Sequence, residues 1–338
     1  LITKALVSHV KSSSPDPKTL RSGASALNNM CTASSPSQLS AVSSLLSAPH
    51  PSPLCTLYVE VSICSDLSEA DKRSVFLRLA ALLHAGVIGQ QGRVVSLIAA
   101  DRVLVANLLR NILPTPTVGG EDDLTEWLSN LLTSATRIPD QFQLFYDAVS
   151  SSADTFTPEQ VVLLHSLEGS VDGALNDPSG NKAFVTISLL VFLAEGLIKA
   201  HADKACRLST SVLPLLCGTL GIALSIMPEL GADLFANCGE RLMAAVFAIL
   251  EKGEGLESGL RISCLRLAAN VLYKNGAAQL ALRREDVWAL LNSTNSSSLE
   301  DLTMREWAVV AVRNATEGSE RNQGYIEDLQ KQSDKRAR

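Results

Sequence analysis

Aromatic residues are scarce in this chain: Phe, Trp and Tyr make up 4% of 338 residues, although 46% of the sequence is hydrophobic. Strands are rich in aromatic and β-branched side chains, whereas the apolar content here is mainly Leu, Ala and Val, which suits packed helices. The sequence therefore predicts an all-α protein. A long basic stripe is also missing. Net charge is −6, from 29 Lys and Arg against 35 Asp and Glu, so the electrostatic footprint of a nucleic-acid binder is absent and no nucleic-acid partner is expected. The basic residues after Gln330 (Lys331, Lys335, Arg336, Arg338) alternate with polar ones and read as a solvated tail over 331–338.

Cysteine is present but unorganised. Seven Cys, an odd number, include no C-x-x-C, and the nearest pairs are Cys55 with Cys64 and Cys206 with Cys217. That spacing fits neither a disulfide framework nor a zinc site. Buried thiols in a reducing compartment are expected, which places the chain in the cytoplasm. The first ten residues, LITKALVSHV, lack a charged leader, a long apolar run and a cleavage site, so no signal peptide is read there.

Catalytic signatures are missing as well. His9, His50, His84, His165 and His201 are isolated, with none in an H-E-x-x-H arrangement. The stretch GALNDPSGNK from Gly173 has the wrong spacing for a phosphate-binding loop and carries Asn before Lys182. GEGLESG from Gly253 misses the dinucleotide fingerprint by one residue and places two carboxylates where a pyrophosphate would approach. GSVDG from Gly169 is not a nucleophile elbow, because Ser is second and Asp fourth. The expectation is no catalytic residue, no metal and no cofactor, with a helical enzyme whose site leaves no motif as the competing reading.

One long uncharged run exists. Leu208 to Pro228 holds 21 consecutive uncharged residues, enough to span a bilayer, but Pro214, Gly218 and Gly221 interrupt it. A buried helix within a large helical protein is the preferred reading, and a membrane-associated subunit using 208–228 the alternative.

Between Ser/Pro-rich or Gly-rich breaks, near 11–17, 34–38, 48–53, 113–120, 151–158, 176–182, 252–259 and 292–300, the chain carries helical stripes. Val75, Leu79, Leu82 and Leu83 share one face, and Ser68 with Asp71 resembles a capping box that starts their helix. Leu265, Ala268, Ala269 and Leu272 form another stripe, with Gly276 placed as a C-terminal cap. The run Glu121-Asp122-Asp123 opens a helix that contains Trp127, where carboxylates suit the helix dipole. Helices ending in an apolar-x-Asn pattern carry Asn29, Asn111, Asn270 and Asn314, separated by 82, 159 and 44 residues. These are near-multiples of the armadillo/HEAT period. They predict an armadillo/HEAT-like α-solenoid, a right-handed superhelix of helical repeats, with repeats over 1–175 and 180–330.

The most informative stretch is REWAVVAVRNATEGSERNQ, residues 305–323. On a helical wheel Met304, Trp307, Ala308, Ala311, Val312 and Ala315 form an apolar stripe, which places Trp307 in the core. Glu306, Arg313 and Glu317 form a charged ridge opposite, with Arg313 and Glu317 spaced for an ion pair. Asn314 lies on the flank. It can present its amide to an extended peptide while Arg313 reads acidic groups; alternatively Asn314 bonds within its own repeat and the charges are a solvated face.

This stretch, with GYIEDL after it, resembles the C-terminal signature of the ataxin-10 family, an E-W-A-x-x-A-x-R-N-x-x-E-x-x-x-x-N-Q pattern before a short final helix. RLAANVLYKN (266–275) and the Asn-rich connection before REWA are similar to the preceding repeat of that family, and the resemblance covers about 260–330. Two departures stand out: Ala315 occupies a position usually held by Leu, and Ala277-Ala278-Gln279 stands where an Asn-Gln pair is expected. The resemblance implies a cytoplasmic, non-enzymatic armadillo-like scaffold that binds other proteins and forms a homo-oligomer through its C-terminal region, with roles in cytokinesis or signalling. It marks Glu306, Arg313, Asn314, Glu317, Asn322 and Gln323 as partner-binding candidates, and Trp307, Asn270 and Tyr273 as structural signature.

Overall fold

The structure, a computed structural model, describes residues 2–12, 14–32, 43–46, 52–90, 92–110, 123–151, 155–177, 182–203, 209–251, 257–294 and 302–336. Among the described residues there are helices and turns but no strand. The chain divides into two compact units, Leu1–Ser152 with Thr157–Leu167, and Ala153–Phe156 with Glu168–Arg338. Asn111, Glu121, Asp122, Cys206 and His50 lie outside the described residues, as do the breaks at 34–38 and 113–120.

Unit one contains α1 (Ile2–Val10), α2 (Pro17–Thr32), α3 (Pro53–Ile63), α4 (Glu69–Gln90), α5 (Gly92–Ala100), α6 (Arg102–Arg110), α7 (Asp123–Thr136) and α8 (Phe142–Ala148). Local chemistry sets these boundaries. Pro53 supplies a preset φ at the first position of α3, while the Ser52 hydroxyl accepts from the Cys55 amide at 3.1 Å. One half of the expected box before α4 forms, with the Asp71 amide donating to Ser68 Oγ at 3.2 Å, while the Ser68 hydroxyl donates to Asp71 Oδ2 at 2.6 Å. The stripe of α4 is buried: Val75 is 2% exposed, and Leu79, Leu82 and Leu83 are fully covered. Each such Leu contributes roughly 1.5–3 kcal/mol relative to exposure. α4 packs between α2 and α7, and α3 between α1 and α6.

α9 (Pro158–Asn176) runs across the division, and unit two follows with α10 (Ile187–Ala202) and α11 (Ser209–Ile226). Three short turns, 3₁₀ at Pro228–Leu230, α at Gly231–Leu234 and π at Phe235–Gly239, lead into α12 (Glu240–Leu250). Then come α13 (Ser258–Leu272), α14 (Gly276–Ala281), α15 (Arg284–Ser293), α16 (Leu302–Thr316) and α17 (Glu320–Arg336). α11, α13 and α16 stack in order, and α10, α12, α15 and α17 form a second row beside them.

The period is visible in hydrogen bonds as well as helices. Side chains reach the next repeat across 49 residues from Ser52 to Asp101, 50 from His84 to Ser134, 47 from Cys217 to Cys264 and 45 from Ala269 to Asn314. Within each unit this is the expected all-α, armadillo-like solenoid.

Two local expectations are corrected. Gly276 does not cap α13; Lys274, at φ 49°, takes the left-handed position. Gly276 instead opens α14, whose Ala278 amide is received by Asn275 Oδ1 at 3.2 Å. Trp307 is half-buried rather than core, because its ring faces the Arg266 guanidinium at 5.1 Å. Helix α17 runs through Lys331 and ends at Arg336.

The uncharged run forms α11, and Val212, Leu216, Cys217, Leu220, Ala223 and Leu224 are at most 1% exposed. No single described helix is long and apolar enough to cross a membrane; Ser211–Ile226 with Pro228–Leu250, bent by 112°, passes on length and composition only.

Candidate interaction surface

Two kinds of residue lie in the 305–323 stretch, and the structure separates them. Asn314 is 6% exposed and Asn322 fully buried, so both are corrections to the expected partner-binding set. The reason is hydrogen bonding within the stack. Asn314 Nδ2 donates to the Ala269 carbonyl at 2.9 Å, and Asn322 Nδ2 donates to the carbonyls of Gln279 at 2.9 Å and Ala315 at 2.7 Å. An unpaired buried carbonyl or amide costs about 1–3 kcal/mol, so these amides are committed to the repeat they hold.

The same bond recurs one repeat earlier. Asn270 Nδ2 donates to the Gly221 carbonyl at 2.8 Å and to Ser225 Oγ at 2.8 Å. Gly221, Ala269 and Arg313 are thus successive residues at the receiving position of α11, α13 and α16. The first two are small because the next helix comes close: a Cβ on Gly221 would meet Arg266 Cγ and the Leu267 amide nitrogen at 3.4 Å. Asn270 thus ties α13 to α11 through a bond that the sequence spacing alone leaves undefined.

Gln279, read in the sequence as a departure, is the counterpart of Asn322. Its Nε2 reaches back seven residues to the Leu272 carbonyl at 3.3 Å, as Asn322 reaches back seven to Ala315. Gln279 Nε2 also donates to the Asn314 carbonyl at 2.8 Å. A buried primary amide recurs in both repeats although the residue type changes. Arg321, also absent from the sequence candidates, ties α17 down by donating to the carbonyls of Leu280 at 2.6 Å and Leu282 at 3.2 Å. An exposed Arg beside an Asn-Gln pair gives no sequence signal for that role.

The remaining candidates face outward. Glu306, Arg313, Glu317 and Gln323 are exposed, and Gln323 Nε2 donates to the Thr316 carbonyl at 2.9 Å. Arg313 and Glu317 do not form the ion pair their spacing permits; no described residue pairs with Glu306, Arg313 or Glu317 through its side chain. Three apolar side chains share the outer side of α16 with them: Leu302 at 55% exposure, Val309 at 52% and Val310 at 39%. Tyr273 is 39% exposed at the end of α13, its ring 5.1 Å from Lys274 Nζ.

Chemistry elsewhere is sparse. Among the described residues no three His, Cys, Asp or Glu side chains gather as a metal group. Cys217 and Cys264 lie 3.7 Å apart and fully covered, and their mutual hydrogen bond and burial hold the Cys217 thiol well above its ordinary range. In unit one, burial beside the Asp101 carboxylate pushes the Cys55 thiol up to about 12. Both are inert thiols at neutral pH. An open depression of about 480 Å³ in unit one is lined by Cys55, Val59, Glu60, Asp101 and Val103, and another of about 480 Å³ in unit two by Phe235, Asn237, Arg241 and Asn275. The first brings Cys55 beside Asp101, but burial against that carboxylate keeps the thiol protonated at neutral pH.

Residues 260–337 match the family described as spinocerebellar ataxia type 10 protein domain. Ataxin-10 from Pongo abelii is 26% identical over 155 residues, 46% of this chain and 31% of that protein. Ataxin-10 from Homo sapiens is 23% identical over 157 residues, with the same shares. The aligned part of this chain spans less than a third of the length of the curated relatives it matches. Among solved structures, an engineered protein aligns over 94% of this chain and 97% of its own at 14% identity and TM-score 0.30. A designed armadillo repeat protein in complex with the peptide (KR)4 aligns over 91% and 98% at 12% identity and TM-score 0.29. Scores that low add nothing to the fold read from the helices themselves.

Proposed function

We propose that this chain, whose residues 260–337 form an ataxin-10 family domain, is a non-enzymatic protein–protein interaction scaffold of the cytoplasm that self-associates through its C-terminal region. Cytokinesis or signalling is the setting that the relatives suggest. The supporting observation is the division of labour on α16. Asn314 and the amides around it are locked into the stack, while Glu306, Arg313, Glu317, Val309 and Val310 stand outside it without partners of their own. A rigid helix that presents free charges and exposed aliphatic groups in fixed register is suited to another protein's surface. The burial of α11 supports a packed helix over a membrane-associated subunit.

The test is affinity capture from cytosol with wild-type bait and an Arg313→Ala/Glu317→Ala variant, both checked by circular dichroism. Since the two side chains are exposed, the variant should melt within about 0.5 kcal/mol of wild type. Loss of specific partners from that folded variant is the expected result. Unchanged capture would remove this face from the reading.

A further inference from the structure

Going beyond the scaffold reading, and resting on it only for the partner being a protein, we infer that the face of α13 centred on Arg266 binds an extended peptide in which a single carboxylate is flanked by aliphatic side chains.

The site starts from an arginine that is held in place but not neutralised. The Arg266 stem lies across α11, so that a Cβ on Gly221 would meet its Cγ and Cδ at 3.4 Å, and its guanidinium sits over the Trp307 ring of α16 at 5.1 Å. Stem and head are thus fixed by two neighbouring repeats. Elsewhere in unit two Arg241 pairs with Glu195 and Arg283 with Asp286, but no described carboxylate meets Arg266, and its covered Nε has no acceptor. A planar cation with one face on an indole keeps its outer edge for a carboxylate.

One turn further along α13, Asn270 supplies the opposite function. Both Nδ2 hydrogens are spent, on the Gly221 carbonyl and on Ser225 Oγ, each at 2.8 Å, which fixes the amide plane and leaves Oδ1 as an acceptor without a described donor. Arg266 and Asn270 lie about 6 Å apart along the axis and about 40° around it, and two residues of extended chain span about 7 Å. A main-chain N–H can therefore donate to Asn270 while a carboxylate two residues away accepts from Arg266. Apolar contact flanks the pair: Val310, one turn from Trp307, and Tyr273, two turns from Arg266 on the same side, are each 39% exposed.

Surrounding charge selects the kind of peptide. α13 itself carries no acid between Ser258 and Leu272, but Glu306 and Glu317 are exposed on α16, and the Glu168 carboxylate lies beside Gly218. A cation ringed by acids, on a chain of net charge −6, repels a polyanion and accepts one carboxylate among neutral neighbours.

The indole N–H signals of the full chain labelled at its three Trp residues, Trp127, Trp288 and Trp307, report on the site by heteronuclear NMR, with Trp307→Phe identifying its own signal. Titration with the end-capped peptide Gly-Ser-Val-Glu-Val-Ser-Gly to about 5 mM should shift the Trp307 signal and leave Trp127 in place. Replacing the peptide's Glu by Gln should weaken binding at least about tenfold, and Arg266→Gln should abolish it. Because the Arg266 stem packs against Gly221, a second pair of variants keeps the test independent of folding: at exposed Val310, Val310→Glu should weaken and Val310→Lys strengthen binding, each at least about threefold. A Trp307 signal that stays in place would remove this site, while the scaffold reading stands or falls separately on Arg313→Ala/Glu317→Ala. Equal binding of the Glu and Gln peptides would remove the carboxylate. Equal responses of Val310→Glu and Val310→Lys would place the peptide elsewhere, and a shift caused by oligothymidylate at lower concentration than the peptide would reassign the face to a phosphate chain.

Discussion

Between the repeats of unit two, neutral amides on Asn270, Asn275, Asn314 and Asn322 reach main-chain carbonyls 43 to 49 residues away. In unit one such ties more often join side chain to side chain, as in His84 with Ser134 and Ser96 with Gln141, or use a carboxylate, as Asp101 does with the Ser52 amide, while Tyr58 Oη donates to the Asn107 carbonyl at 3.5 Å. A carbonyl is present whatever residue carries it, so a main-chain acceptor constrains the donor and leaves its neighbour free. A side-chain pair constrains both. Buried amides also fix register more strictly, because sliding one helix along another by a single residue leaves donor and acceptor unpaired at once.

The largest effect should come from breaking an amide tie. Asn322→Ala leaves the carbonyls of Gln279 and Ala315 without their donor in a fully buried place, and should cost about 1–3 kcal/mol in urea unfolding. The neighbouring Gln323→Ala, which loses one exposed bond, should stay within about 0.5 kcal/mol. Equal losses at both positions would show that burial does not set the difference between these two amides.

In unit one the sharpest comparison is Asp101. Its Oδ2 accepts from the Ser52 amide at 3.1 Å and its Oδ1 from the Leu104 amide at 3.2 Å, so one carboxylate both joins repeats and caps α6. Asp101→Ala should lose about 1–2 kcal/mol, while Asp101→Asn, which keeps one acceptor oxygen, should lose less. Hydrogen exchange read at the Ser52 and Leu104 amides separates the two: both should speed up in Asp101→Ala. If neither amide responds, the carboxylate is not the tie in solution.

This contrast explains what was legible in the sequence. The all-α class and the α4 stripe follow from Leu and Ala spacing alone, because an apolar helix face is a statistical pattern that many residues satisfy. The repeat register was legible at Asn270 and Asn314, where a polar residue is held against the previous repeat, half-buried at Asn270 and buried at Asn314. It was not legible at Asn29, which is exposed on α2, and Asn111 lies outside the described residues. The candidate surface was half legible. Glu306 and Arg313 face outward as the wheel places them, but Asn314 and Asn322 carry the same polar label and turn inward. A one-helix wheel contains no neighbouring carbonyl, so it cannot distinguish an amide that waits for a partner from one already bonded to the previous repeat. Gln279 escaped for the complementary reason: its chemistry matches Asn322, but its name does not.

The smallest effect sharpens the comparison through pH. Asn amides do not titrate, whereas His84 in unit one does. Burial lowers the His84 pKa below 6.5, with its ring edge-on to Trp127 at 5.5 Å and a nitrogen 3.1 Å from Ser134 Oγ. A histidine whose folded pKa is depressed takes up its proton more readily in the unfolded chain. Stability from this source is therefore complete above the unfolded pKa and declines as pH falls through it towards the folded value. Between about pH 7.5 and 5.5 the protection of α4 amides around His84 should drop, and His84→Gln should flatten that drop. Amides near Asn270 and Asn314 serve as the internal reference, since their ties hold the same charge at both ends of the range. A drop of equal size near those asparagines would mean that the pH response comes from elsewhere in the chain and that His84 is not its source.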